Sequence, residues 1–287
     1  MKAIYKRELK SYLTSMVGYL FIFFVLILTG VYFSAYQLSA AIPKFEYTLS
    51  AMTFVFLIGI PILTMRVMAE ERRQKTDQLL LTAPVSVGSI VMGKFLALVT
   101  IYAIPVGVLC FYPLIMSKFG EVSFGSAYTA ILGFFLLGCS NLAIGMFVSA
   151  ITESQVIAAV LTFVILFAFY MMNGISSFFS QASLSTCVAF GLVILALAMI
   201  LYTMIKNLLI SVIVGAVGEI ALAIIYLIKP AVFEGGIQKV LKVFNLSGHF
   251  ESFANGMFDI TGIVYFISVA AICLFLTMQT VTKRRWN

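Results

Sequence analysis

The chain has 287 residues, of which 62% are hydrophobic, 14% aromatic and only 10% charged, whereas a soluble domain carries about 25% charged residues. With a mean hydropathy of +1.12, this composition excludes an ordinary soluble enzyme, and the apolar runs leave no room for a large soluble domain. The net charge of +7 does not point to nucleic acid, because the cations gather at the ends of apolar runs and mark the two faces of a membrane.

In chain order, MKAIYKRELKSYLT sets Ile4, Tyr5, Leu9, Tyr12 and Leu13 among Lys2, Lys6, Arg7 and Lys10 at helical spacing. That pattern predicts an interfacial amphipathic helix over 1–14. The first apolar run, 17–38, is too long for the core of a signal peptide, although Ser39-Ala40-Ala41 resembles a cleavage site. Further runs at 49–65, 89–116, 126–151, 155–178, 186–205, 208–228 and 260–281 give an expected all-α polytopic bundle of about eight spans, a single transmembrane domain over 1–287. The runs 186–205 and 208–228 are divided only by Lys206-Asn207, so they read as a tight hairpin or as a partly re-entrant element. Between 229 and 259, Ile237, Val240, Leu241, Val243 and Phe244 suggest a short helix on the outer surface.

Eight spans put both termini on one side. Thirteen of the 18 Lys and Arg then share that side, and Lys44, Lys118, Lys229, Lys239 and Lys242 stand opposite. By the positive-inside rule the termini are cytoplasmic. The four cysteines, Cys110, Cys139, Cys187 and Cys273, all lie inside apolar runs without C-x-x-C spacing, which makes them small apolar residues rather than disulfide partners or metal ligands.

One loop is far more charged than a reversal of direction requires. Residues 66–86, RVMAEERRQKTDQLLLTAPVS, gather seven charges and then Leu79, Leu80 and Leu81. Glu70 and Glu71 come first, where a helix N-terminus favours negative charge, and Glu71 with Lys75 and Arg73 with Asp77 are spaced i,i+4. Pro84 turns Ala83 away from helix, so the spacing predicts a short cytoplasmic helix over 69–82. Exposed leucines beside a charged face read as a docking surface, or else as a loop helix folded back onto the membrane.

The segment AEERRQKTDQLLLTAPVSVGSIVMGKFLA resembles the signature of type-2 ABC exporter permeases, in particular the bacterial gliding-motility-type branch. Glu70, Glu71, Thr76, Leu79, Leu80, Leu81, Thr82, Pro84, Val85, Gly93 and Lys94 carry the match. Lys6-Arg7-Glu8-Leu9 is similar to the elbow helix of that family, and 249–277 to its closing segment. The resemblance implies that 69–82 is the coupling helix, with Glu70, Glu71, Arg72, Thr76, Leu79 and Leu80 in contact with a cytoplasmic ATPase subunit. It further implies a second permease copy or a related permease, an auxiliary extracytoplasmic protein, ATP and Mg held by the ATPase alone, and a place in the bacterial inner membrane. The extra hairpin at 186–228 departs from the six-span pattern of the family.

Other patterns carry less. Gly88 to Lys94 spells G-x-x-x-x-G-K, but Phe95 occupies the position of the metal-binding Ser or Thr and the stretch enters an apolar helix. The single histidine, His249, with Glu251 and Asp259, fits no common metal-ligand spacing. No Ser-His-Asp or Cys-His set is available for nucleophilic catalysis. Glu219 falls near the middle of LLISVIVGAVGEIALAIIYLI, where a charge is costly unless it is paired or faces water. Three readings of it stand: a proton or cation relay, a polar lining of a substrate path, and a structural residue inside the bundle. Gly138, Asn141, Gly145 and Ser149 share one helix face, a surface for close packing on which Asn141 is able to bond across. Two functions follow: the permease subunit of an ATP-driven exporter, or an ion-coupled transporter or channel that uses Glu219.

Overall fold

The computed structural model describes residues 1–76, 85–178 and 233–286, and between the last two segments residues 183, 186–191, 194, 216, 217, 219, 220, 222 and 226. Every regular element among them is helical. The chain divides into two compact units, Met1–Tyr170 with Leu246–Asn287, and Met171–Asn245.

The first unit opens with α1 (Lys2–Thr14) and α2 (Met16–Phe33), the latter continued by a π-helical stretch, Ser34–Ser39. The next span is assembled from α3 (Phe45–Met52), a 3-10 turn (Thr53–Val55) and α4 (Phe56–Thr64). The Thr53 hydroxyl donates back to the Ser50 carbonyl at 2.7 Å, and Pro61 removes a donor inside α4. These are local reasons for an irregular axis. After α5 (Ala69–Arg73) come α6 (Val87–Leu109) and α7 (Phe111–Met116). The break between these two follows from Pro113, whose ring excludes the carbonyl of Leu109 four residues back. Then α8 (Phe124–Ile151) and α9 (Gln155–Tyr170) follow, and α12 (Leu246–Ala254) and α13 (Ile260–Trp286) close the unit.

Among the described residues, five helical stretches are long and apolar enough to cross a membrane: Met16–Ser39, Phe45–Arg73, Val87–Met116, Phe124–Ile151 and Ile260–Arg284. The run expected as one helix over 155–178 is broken into α9 and α10 (Met172–Phe178), and counted as one span it makes a sixth. Asn173 and Gly174, poor helix formers, sit at that break. The hairpin expected at 186–228 lies mostly outside the described residues, and the five or six spans are counted among the described residues alone.

The unit is organised around α8, whose membrane-length window is 72% buried, against 22% for the spans of α2 and α13. Small residues allow this. A Cβ added to Gly138 would lie 2.3 Å from Tyr102 Cζ of α6, and one on Gly145 would lie 2.4 Å from Thr64 Oγ1 of α4. The Tyr102 hydroxyl then donates to the Phe134 carbonyl at 2.7 Å, and the Phe56 and Phe134 rings stack at 4.6 Å. Against α8, which also packs directly on α13, lies α12, with Phe250 and Phe253 buried. Phe253 is pressed so closely on Gly133 that an added Cβ there would come within 2.5 Å. The outer segment therefore holds more than a surface helix.

The second unit contains α10 and α11 (Gly236–Val243), which pack on each other. Ile237 of α11 is buried, while Val240, Val243 and Phe244 are exposed.

Candidate functional site

At the end of the first unit that holds both termini, the loop entered after α4 is gripped from three helices, α1, α6 and α8. The grip begins with Lys94 on α6. Its side chain is 1% exposed, and its ammonium donates to Glu8 Oε1 of α1 at 3.1 Å, to the Val67 carbonyl at 2.9 Å, and pairs with Glu71 Oε2 at 2.9 Å. Three acceptors satisfy the three donors of the ammonium. Arg7 closes the ring from α1, with Nη2 2.6 Å from both Glu8 Oε1 and Glu71 Oε1. Burial pushes the Glu8 carboxyl up, but the Lys94 ammonium and the Arg7 guanidinium outweigh it and hold the group below its ordinary value.

Beside this ring, Arg66 holds Glu70 through two parallel bonds, Nε to Oε2 at 2.6 Å and Nη2 to Oε1 at 3.0 Å. Three cations and three carboxylates are thus balanced around a polar cavity of about 360 Å³, whose wall also includes Ser11, Tyr12 and Gln74. Tyr12 is buried and donates to the Leu63 carbonyl at 3.2 Å. Burial, reinforced by the Glu8 carboxylate, raises its hydroxyl far above the ordinary range.

From the other side comes α8. Ser149 Oγ accepts from the amides of Met68 and Ala69, each at 3.2 Å, and donates to the Met65 carbonyl at 3.2 Å. It acts as an N-cap supplied by another helix, satisfying orphan amides at the start of α5. Arg72 donates to the carbonyl of Ile151, the last residue of α8, at 2.8 Å and pairs with Glu153 just beyond it at 2.5 Å. The Arg284 guanidinium donates to the Ala150 carbonyl, so the last turn of α13 joins the same end.

Of the helix expected over 69–82, α5 covers Ala69–Arg73 and breaks off into a turn at 74–76. The Thr76 amide bonds the Glu71 carbonyl at 3.0 Å and the Lys75 amide bonds the Arg72 carbonyl at 3.1 Å, with Lys75 in the left-handed region at φ +56°. This is a Schellman termination, in which the carbonyls of the last turn are satisfied by a reversal of the chain. It replaces the anticipated Glu71–Lys75 pair, since Glu71 is turned to Arg7 and Lys94. Residues 77–84, among them Leu79, Leu80 and Leu81, lie outside the described residues.

No protein-family model matches the chain, and no curated protein matches it in sequence.

Of the residues singled out from sequence, the structure brings Glu70, Glu71, Arg72 and Ser149 together at this end, with Thr76 on the cavity wall. Gly138 and Gly145 lie deeper along α8, and Asn141, 6% exposed, lies between them. Glu219 belongs to the second unit. Its Oε1 is buried without a hydrogen-bond partner among the described residues, and its Oε2 is 3.1 Å from where a Cβ on Gly191 would stand. His249 stacks on Tyr265 at 3.9 Å. Sequence reading missed Glu8, Lys94 and Arg7 as one cluster. The available signal was a lysine placed about two turns inside an apolar helix, which only a nearby anion makes tolerable. The stretch from Gly88 to Lys94 lies wholly within α6, where the helix uses the backbone amides a phosphate-binding loop would need and Lys94 is already paired.

Proposed function

We propose that the protein is the membrane-spanning permease subunit of an ATP-driven exporter of the type-2 ABC class. It contributes no catalytic group of its own and works with a cytoplasmic ATPase that binds ATP and Mg. Its termini and the 66–86 loop face the cytoplasm across the bacterial inner membrane. The assembly contains a second copy or a related permease, and an auxiliary extracytoplasmic protein is its further partner. The observation that carries this reading is the fixing of the loop segment 65–72 to α1, α6 and α8 by ion pairs and by the Ser149 cap. A displacement imposed on such a loop is passed to three helices, whereas an ordinary connecting loop has no need of a buried lysine to hold it. Exposed Arg73, Gln74 and Thr76, followed by Leu79 and Leu80, form the face offered to the ATPase.

The test is affinity capture from solubilised membranes with an Arg73→Glu, Leu80→Asp variant, which leaves every ion pair of the cluster intact. Wild type retains a nucleotide-binding ATPase and the variant loses it at equal membrane insertion. Equal recovery from both, or none from either, rejects the reading.

The unpartnered Glu219 oxygen favours a second reading, an ion-coupled transporter or channel in which Glu219 holds the coupling ion. In that case Glu219→Gln abolishes transport driven by an ion gradient, and removal of the ATPase has no effect.

A further inference from the structure

At the other end of the first unit, where α3 begins, a polar recess of about 180 Å³ is lined by Lys44, Glu46, Tyr47, Ser50, Ser126 and Asn255. Glu46 is its anomaly. The residue is only 7% exposed, yet none of the described residues donates a hydrogen bond to its carboxylate or forms an ion pair with it. Its place in the first turn of α3 lets the helix N-terminus offset part of the charge. The carboxylate opens on the recess, where a bound cation is able to replace water as its partner.

The surroundings are built rather than incidental. The Gln37 amide donates to the Lys44 carbonyl at 2.8 Å and its oxygen accepts from Thr48 at 2.7 Å, which fixes the backbone at the mouth. Gly256, at φ +76°, brings the turn after α12 so close that an added Cβ would stand 2.7 Å from Ser126 Cβ. The Ser126 hydroxyl spends its proton on the Ser123 carbonyl at 3.1 Å, leaving its oxygen to accept. One carboxylate with neutral hydroxyl and amide oxygens is a poor cage for a hard divalent cation, which takes six or more oxygens. It matches a primary ammonium, whose three N–H donors are met by one charged and two neutral acceptors. Lys44, exposed and part of the lining, adds a positive charge to the recess.

We propose that this recess binds a zwitterion in which a primary ammonium stands beside an anionic group, the chemistry of an ethanolamine phosphate. The ammonium sits on Glu46, with Ser126 and Asn255 as the neutral acceptors, and the phosphate meets Lys44. The source is either a bilayer phospholipid or the free zwitterion. The site stands apart from the ATPase-facing loop, so failure of either reading leaves the other in place.

The experiment uses the full chain in phosphatidylcholine nanodiscs and reads the thermal unfolding midpoint. Phosphatidylethanolamine is added to the bilayer in one arm and soluble phosphoethanolamine in the other. Wild type gains about 3 °C in at least one arm, the lipid arm marking a headgroup site and the soluble arm a free ligand. Glu46→Gln removes that gain. Asn255→Ala, a change at an exposed residue, diminishes it and serves as the comparison if Glu46→Gln does not fold. The proposal is overturned by no gain in either arm, by an equal gain in Glu46→Gln, or by the same gain with phosphocholine, which has no N–H to donate.

Discussion

Lys94 shows how a single residue decides the architecture of one end of the molecule. An isolated ammonium at 1% exposure is untenable, and here it is paired with Glu8, 86 positions earlier, and with Glu71. Removing one member of a buried pair strands the others, at a cost of about 3–5 kcal/mol. Lys94→Met is therefore expected to lower the unfolding midpoint strongly in detergent. The double variant Lys94→Met, Glu71→Gln restores neutrality with Arg7 and Glu8 and recovers at least half of the loss. Additive losses in this cycle count against a coupled cluster. The sequence shows only a lysine set inside an apolar run, and not the partners that make it tolerable. Chain separation hides the partners, and only folding brings α1 and the loop onto α6.

Among the elements, α8 does most to place the loop. Its small-residue face is legible as a helical repeat, because Gly138, Gly145 and Ser149 fall at i, i+7 and i+11. What each residue meets is not legible: Tyr102 at Gly138, Thr64 at Gly145, and the amides of Met68 and Ala69 at Ser149. Ser149→Ala removes the cap of α5 and is expected to destabilise by about 1 kcal/mol. Hydrogen exchange at 68–73 should rise in the same variant while that of α8 stays unchanged. Gly138→Ala drives a methyl into the Tyr102 ring, with an expected loss of about 1–3 kcal/mol, read as a lower unfolding midpoint. The end of α5 teaches the converse. Charge spacing in the sequence favours a helix running on to residue 82, but i,i+4 pairs contribute only about 0.3–0.5 kcal/mol each. The Schellman turn at Lys75 and the pull of Lys94 and Arg7 on Glu71 outweigh them.

For the whole molecule, two groups outside the spans set the response to acid. Burial lowers the affinity of His249 for a proton below its ordinary 6.5, with Asp259 opposing. The unfolded chain thus binds more protons there, and the contribution to stability, complete above about pH 6.5, is lost as pH falls. Glu8, also lowered from an ordinary 4.5, adds a second loss in the same direction beginning below about pH 4.5. The unfolding midpoint should fall in two steps on acidification, and His249→Phe should flatten the first of them. A profile unchanged by His249→Phe between pH 7 and 5.5 contradicts the assignment. By itself the sequence determined that the chain is an all-helical membrane protein and where four of the spans begin and end, to within about three residues, because lipid enforces an apolar length on any helix that crosses it. The split of 155–178, the insertion of α12 beside α8, the early end of α5, the Lys94 cluster and the unpartnered Glu46 were decided only in the tertiary structure. Each depends on which distant side chain arrives at a given backbone group, and no local pattern of hydropathy or charge encodes that.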